Sequence, residues 1–495
     1  MTNNNAISGG KTLVRHASIY ALGNILRRAV GFLMLPVYTR YLTPADYGVI
    51  GLMIFAISLV EAFFGTRLHP AIMKYYFEFK EERQRDLLIS TAFTITGVVT
   101  SVVTIFLIIF RKPASQAIFG TSDYASILGF FSVQIVMQPL EYYALLYLRL
   151  QHRPWFFISI NFTKLILQLS LNIWLVVFER MGVMGVAVSA MISSSIFALF
   201  CTAYTFSKVG WGFDRSLAVK MMRFSWPLWV AGFAGIYIGC INRYYLRIFG
   251  SLVDVGLFEL SSKFGEIMGG LIWEPFSLYW QVERYKLYHQ GNPKLIFQAV
   301  FSFISAIMIL AGLGIAIFSG PVIRIMADKE FYLAYKAVPF LVLGIVFYSF
   351  ALFYNFGFEV KEKTGWISGI VYLTAAIITI LYFILIPQFG FVGAAIAFMI
   401  AEAAQFLIVY GTSRRFYDMG INLTPLVWTL IVSAFAYWVT NEIIVRERLI
   451  EDIALKSLVY VIAGIFIIYP IWQKSEVRLI FNEIAKNFGL KYKNS

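Results

Sequence analysis

The chain has 495 residues, of which 59% are hydrophobic and only 14% charged, and its mean hydropathy is +0.74. A soluble domain carries about 25% charged residues, so the composition excludes an ordinary soluble enzyme and indicates an integral membrane protein. The formal net charge of +14 would suit nucleic acid, but most Lys and Arg fall in alternate loops between apolar runs, which is positive-inside topology on an anionic leaflet.

Apolar runs long enough to cross a hydrocarbon core, about 20 residues each, lie near 16–39, 47–66, 87–110, 125–148, 156–178, 183–205, 224–248, 255–280, 295–318, 335–356, 365–386, 389–413, 424–440 and 453–472. The expected fold is therefore an all-α integral membrane protein with about fourteen transmembrane helices and both termini cytoplasmic. Barrel strands would alternate over about ten residues, whereas these runs are continuous.

In chain order, the polar opening holds Gly10-Lys11-Thr12, but Asn5 stands where a phosphate loop needs its first glycine and no strand precedes it. No nucleotide site is expected there, and no cleavable signal peptide, because the first apolar run is long and interrupted by Arg27 and Arg28. That run carries Asn24, Arg27, Arg28 and Gly31 along one helical stripe. Pro44, Asp46 and Gly48 then supply a turn, a cap and a close-approach position, and Glu61 lies in the next run. Gln134, Gln138 and Glu141 share one helical face in the fourth run, as do Asn161, Lys164, Gln168 and Asn172 in the fifth.

The register then repeats. Adding 208 carries Gly31 to Gly239, Asp46 to Asp254, Gly48 to Gly256, Pro113 to Pro321, Gly182 to Gly390 and Gly185 to Gly393. Glycine and proline mark backbone geometry rather than bulk hydrophobicity, so the chain reads as two copies of one unit. The second copy holds Asn242 and Arg243, then Glu259, Lys263, Glu266 and Glu274 on one charged face, then Asn355, Glu402 and Gln405. The expected domains are a six-helix lobe at 1–206, a second at 207–414, an appended helix pair at 415–472 and an amphipathic cytoplasmic tail at 473–495. Equal span counts with cytoplasmic starts predict a parallel repeat, related by an axis roughly along the membrane normal.

The four histidines show no metal-ligand spacing, and Cys201 and Cys240 both fall inside runs, so neither a metal site, a disulfide framework nor a catalytic set is expected. Ionisable groups within spans cost about 2.5–3.5 kcal/mol each and by default mark transport paths or mutual pairs. Two repeats around such groups are the architecture of alternating access.

The PVYTRYLTPADYGVIGL stretch, with MGVMGVAVSA from Met181 and FGFVGAAIAF from Phe389, resembles the polysaccharide and oligosaccharide flippases of the multidrug/oligosaccharidyl-lipid/polysaccharide exporter superfamily. The resemblance implies transfer of a polyprenyl-diphosphate-linked oligosaccharide across the inner (cytoplasmic) membrane, from the cytoplasmic to the periplasmic leaflet. The cargo would feed O-antigen, capsule or exopolysaccharide, with membrane lipids and a polymerase or glycosyltransferases as partners. Arg27, Arg28, Lys164, Arg243 and Lys263 would meet diphosphate or acidic sugars, and Asn24, Asn161 and Gln168 would meet hydroxyls. No cofactor is implied beyond a coupling H⁺ or Na⁺, for which Glu61, Glu141, Glu266 and Glu402 are candidates and Glu266 is favoured. Two other transport readings stay open: a cation-coupled, multidrug-type exporter, which would want an acidic aromatic cavity, and a peptidoglycan lipid-precursor flippase, which would share the cations.

Overall fold

The structure, a computed structural model, describes residues 32, 34–64, 67–289, 293–443 and 449–472. The regular elements among them are all helical. In hydrocarbon each backbone N–H and C=O has to be satisfied without water, and continuous apolar runs of this length do so as helices. The chain is a multi-pass integral membrane protein.

Nine helices among the described residues are long and apolar enough to span a membrane. The apolar runs and the helices differ for local reasons. The run at 125–148 is divided at Val133 into helices Ala125–Ser132 and Gln134–Leu150. The run at 255–280 becomes helix Leu252–Met268, a π-helical turn Gly269–Trp273 and helix Glu274–Tyr288. The runs at 365–386 and 389–413, by contrast, remain two helices within Gly365–Ser413, separated by a sharp kink where Gly390 takes φ 55° and ψ −134°. Helix Thr424–Trp438 continues through a π-helical turn Val439–Ile443, so the run at 424–440 is helical throughout. Most of the run at 16–39 and the tail at 473–495 lie outside the described residues.

Helix Glu82–Ile109 shows how these segments sit in lipid. Val98, Val102, Ile105 and Ile109 are exposed along one face, while Thr96, Thr100 and Thr104 are buried on the other. The Thr100 hydroxyl donates to the Thr96 carbonyl at 2.6 Å and that of Thr104 to the Ser132 carbonyl at 3.3 Å. Apolar groups face outward because lipid is as apolar as a protein core, and polar groups turn inward to find partners.

The described residues up to Gly256 form one compact unit and those from Leu257 a second. In the first, Gln134–Leu150 packs chiefly on Gly182–Val209 and Glu82–Ile109, and Arg215–Phe249 on Pro44–Phe64. In the second, Val338–Tyr354 packs on Gly365–Ser413, and Pro293–Met326 lies against Val338–Tyr354, Thr424–Trp438 and Leu449–Trp472.

Positions 208 apart carry the same local geometry. The Thr43 amide and hydroxyl donate to Asp46 Oδ2 at 3.0 and 2.8 Å, and the Asp46 amide donates back to Thr43 Oγ1 at 3.2 Å. Ser251 and Asp254 make the same three bonds at 3.0, 2.7 and 3.1 Å. Each is a reciprocal cap satisfying donors that a helix start leaves open. Gly182 and Gly390 both adopt left-handed backbone, with φ of 57° and 55°, which a side chain would strain.

A third equivalence changes its chemistry. Gln151 Nε2 donates to the Tyr76 hydroxyl at 3.0 Å, and at the positions 208 further on Arg284 Nη2 donates to Glu359 Oε2 at 2.6 Å. The first bond is neutral and the second joins two charges. Arg284 is 7% exposed and also lies over the Phe356 ring, 5.1 Å from its centroid. Removing one partner of such a pair strands the other charge, at a cost of about 3 kcal/mol, whereas a neutral hydrogen bond contributes about 1 kcal/mol. Arg284→Gln is therefore expected to lower the thermal unfolding midpoint of the purified protein about three times as far as Tyr76→Phe. Equal shifts would show that the charged version adds nothing.

Candidate functional site

Two groups of charged side chains stand out inside the spans, one in each unit. In the first unit, helix Gln134–Leu150 presents Gln134, Gln138 and Glu141 on one face, and Pro154–Asn172 presents Asn161, Lys164 and Gln168. Lys164 Nζ donates to Glu141 Oε2 at 2.6 Å, with the two side chains 20% and 8% exposed. The carboxylate is thus the more enclosed partner and the lysine side chain the more exposed one. Gln138 Nε2 donates to Gln134 Oε1 at 2.8 Å, and the buried Gln134 Nε2 has no partner among the described residues. Asn161 turns back to the Phe157 carbonyl at 2.8 Å, and half-buried Gln168 makes no side-chain hydrogen bond to a described residue. The Cys201 thiol is close enough to feel both Glu141 and Lys164.

In the second unit, Lys263 Nζ lies 3.4 Å from Glu259 Oε1 and 3.2 Å from Glu266 Oε1, all on one helix. Helical spacing of four and three residues makes this triplet geometrically natural. Glu259 is 2% exposed, whereas Glu266 is open. One lysine thus shares its charge between two carboxylates.

Arg243 is buried and donates to the Gly239 carbonyl at 3.0 Å and to Asn242 Oδ1 at 3.3 Å. Glu61 is half-buried near the end of Pro44–Phe64, with Arg67 as its electrostatic neighbour. Glu402 is 2% exposed in Gly365–Ser413, and its Oε2 has no hydrogen-bond partner among the described residues. Tyr348, on the helix packed against it, interacts with it electrostatically. Asn24, Arg27 and Arg28 lie outside the described residues.

Two further ion pairs, each with at least one buried member, escaped the sequence reading. Arg284 and Glu359 sit just beyond the runs at 255–280 and 335–356, so neither was singled out as a charge within a span. Their only signal was the 208-residue register linking them to Tyr76 and Gln151. Lys456 Nζ donates to Asp452 Oδ2 at 2.9 Å, with the side chains 10% and 5% exposed, and here the spacing of four residues was visible. Among the described residues no group of three or more His, Cys, Asp or Glu is placed to hold a metal ion.

Long apolar helices, with charges paired inside the spans, define a multi-pass integral membrane protein. Its fold is similar to that of the lipid II flippase MurJ in an inward closed conformation, with a TM-score of 0.73 over 93% of this chain and 99% of that one, at 15% identity. It is also similar to a multidrug resistance MATE family transporter of the MOP superfamily in an inward-facing conformation, with a TM-score of 0.62 over 81% of this chain and 98% of that one, at 13% identity. At these identities the likeness establishes the fold. Residues 13–279, more than half of the chain, match the family described as polysaccharide biosynthesis protein, and the chain belongs to that family. No curated protein matches it in sequence.

Proposed function

We propose that this chain is a flippase moving a polyprenyl-diphosphate-linked oligosaccharide from the cytoplasmic to the periplasmic leaflet of the inner membrane, by alternating access, for surface polysaccharide synthesis. In this reading it has about fourteen spans, as two six-helix lobes with an appended pair, and both termini cytoplasmic. Family membership supplies the polysaccharide context. The observation that carries the rest is Lys164, a cation within a span, beside Glu141 and flanked on its helix by Asn161 and Gln168. The cargo combines an anionic diphosphate with a hydroxyl-rich glycan, and those residues offer an ammonium and amides at neighbouring positions. Taking one charge of that headgroup into hydrocarbon would cost on the order of 20 kcal/mol on the idealised Born scale, so a polar path has to replace its water.

Energy coupling is assigned to Glu402. Lys164 accompanies Glu141, Lys263 accompanies Glu266, and Arg67 is the electrostatic neighbour of Glu61. Glu402 is buried, with one oxygen lacking a hydrogen-bond donor among the described residues, and a carboxylate in that position gains most from taking H⁺ or Na⁺. The test is flipping of a fluorescent polyprenyl-diphosphate oligosaccharide in vesicles containing the purified chain, with pH and sodium gradients imposed in turn. The native chain should flip it, and one gradient should accelerate it. Glu402→Gln should abolish that acceleration. Failure of the native chain to flip the lipid would overturn the function, and normal acceleration in Glu402→Gln would overturn the coupling assignment.

A further inference from the structure

We propose that Glu141 is a specificity-determining residue: as the resident counter-anion of Lys164, it reserves that ammonium for diphosphate headgroups and keeps monoanionic phospholipids off it. The inference rests on the reading that Lys164 meets the diphosphate, and it assigns Glu141 a role other than ion coupling.

The geometry gives Glu141 a hold that a passing anion has to break. Its carboxylate sits 2.6 Å from Lys164 Nζ and is the more enclosed partner, while the lysine is the more open one. An incoming anion that approaches along the more exposed lysine side chain competes for the ammonium with a carboxylate already in place. A phosphodiester monoanion brings one charge against one charge and has no advantage. A diphosphate brings at least two negative charges over several oxygens, and an ammonium has three donors to share among them.

No other charge is positioned to do this sorting among the described helices packed on Gln134–Leu150. Lys164 is the one ionisable group of Pro154–Asn172. Gly182–Val209 contributes the Cys201 thiol, with Tyr204 and Lys208 near its end. The ionisable groups of Glu82–Ile109 are confined to its first turns, at Glu82, Arg83, Arg85 and Asp86. Ala125–Ser132 has none, and Pro44–Phe64 has Asp46 and Tyr47 at its start and Glu61 near its end. The surrounding Gln134, Gln138 and Asn161 are neutral and cannot discriminate by charge. Gln134 adds a second observation: its Nε2 is a buried donor without a partner among the described residues, two helical turns from Glu141 and available to an oxygen-rich ligand.

The need for such sorting is physical. A bilayer presents monoanionic headgroups in large excess over any lipid-linked intermediate, and an unpartnered ammonium open to them would be occupied by mass action. A fixed carboxylate raises the threshold equally for all anions, so the one with more charge is retained.

The test uses the full chain in nanodiscs of phosphatidylcholine, without or with phosphatidylglycerol, and measures binding of a radiolabelled polyprenyl diphosphate. In the native chain phosphatidylglycerol should change the apparent Kd by less than about twofold, and in Glu141→Gln it should weaken binding by about tenfold. Lys164→Gln should lose diphosphate binding in both lipids. Glu141→Asp keeps the charge but shortens the side chain and loosens the pair, so its sensitivity to phosphatidylglycerol should fall between the two. It serves as the deciding variant if Glu141→Gln does not fold. Unchanged discrimination in Glu141→Gln, or in Glu141→Asp where that variant decides, with binding lost in Lys164→Gln, overturns the role of Glu141 and leaves the flippase reading standing. Normal diphosphate binding in Lys164→Gln overturns the assignment of Lys164 itself.

Discussion

Cells whose only copy carries Lys164→Gln are expected to lose surface polysaccharide by roughly ten- to a hundredfold, because a hydrogen bond to a charged group contributes about 1.5–3 kcal/mol and each 1.4 kcal/mol is about tenfold. Glutamine has similar length and still donates, so the loss isolates the charge. One complication is built into the site, since the substitution strands the Glu141 carboxylate, which is 8% exposed. The double variant Glu141→Gln/Lys164→Gln removes both charges and should restore normal protein levels without restoring polysaccharide. Immunoblotting of membranes and staining of surface glycan read the two quantities separately. Normal polysaccharide in either variant would remove Lys164 from the cargo path.

The second large effect is on folding. A methyl group at Gly48 would lie 2.0 Å from the Leu252 carbonyl oxygen, and one at Gly256 would lie 1.8 Å from that of Pro44. These are backbone atoms, which cannot rotate away as a side chain can, and the two contacts are related by the 208-residue register. Each helix start is fixed by its own reciprocal cap, at Thr43 with Asp46 and at Ser251 with Asp254, so neither end is free to retreat. Overpacking costs about 1–3 kcal/mol where neighbours can adjust and more where they cannot. Gly48→Ala and Gly256→Ala should therefore each abolish accumulation of folded protein. Gly235→Ala has nothing within 4 Å of the added carbon and lies inside helix Arg215–Phe249, where alanine is favoured by up to about 1 kcal/mol. It should accumulate normally, and a fluorescent fusion analysed by size exclusion would separate the three. Full accumulation of either of the first two would show that this backbone contact is not required.

The glycines and caps were legible because they are local. Asp46 three residues after Thr43, or Gly390 at the register of Gly182, is a statement about a few consecutive dihedral angles. The Glu259, Lys263 and Glu266 stripe was legible for the same reason, since one helix fixes its geometry. Helix boundaries were less so: the break at Val133 falls inside one apolar run, and helix Gln134–Leu150 persists around Pro139. Lys164 and Glu141 were each picked out from the sequence, but as a cargo ligand and an ion-coupling group, not as partners.

The sequence by itself determined an all-α membrane chain, its internal register, and which faces of its helices carry charge, because hydropathy, helical period and turn chemistry act over one or two turns. Only the tertiary structure decided which charges meet: Lys164 with Glu141 over 23 residues, and Arg284 with Glu359 over 75. The physical reason is that lipid and protein interior are nearly equally apolar, so hydropathy barely constrains how a span rotates about its axis. That rotation is set by packing and by the search of each buried charge for a partner on a neighbouring helix.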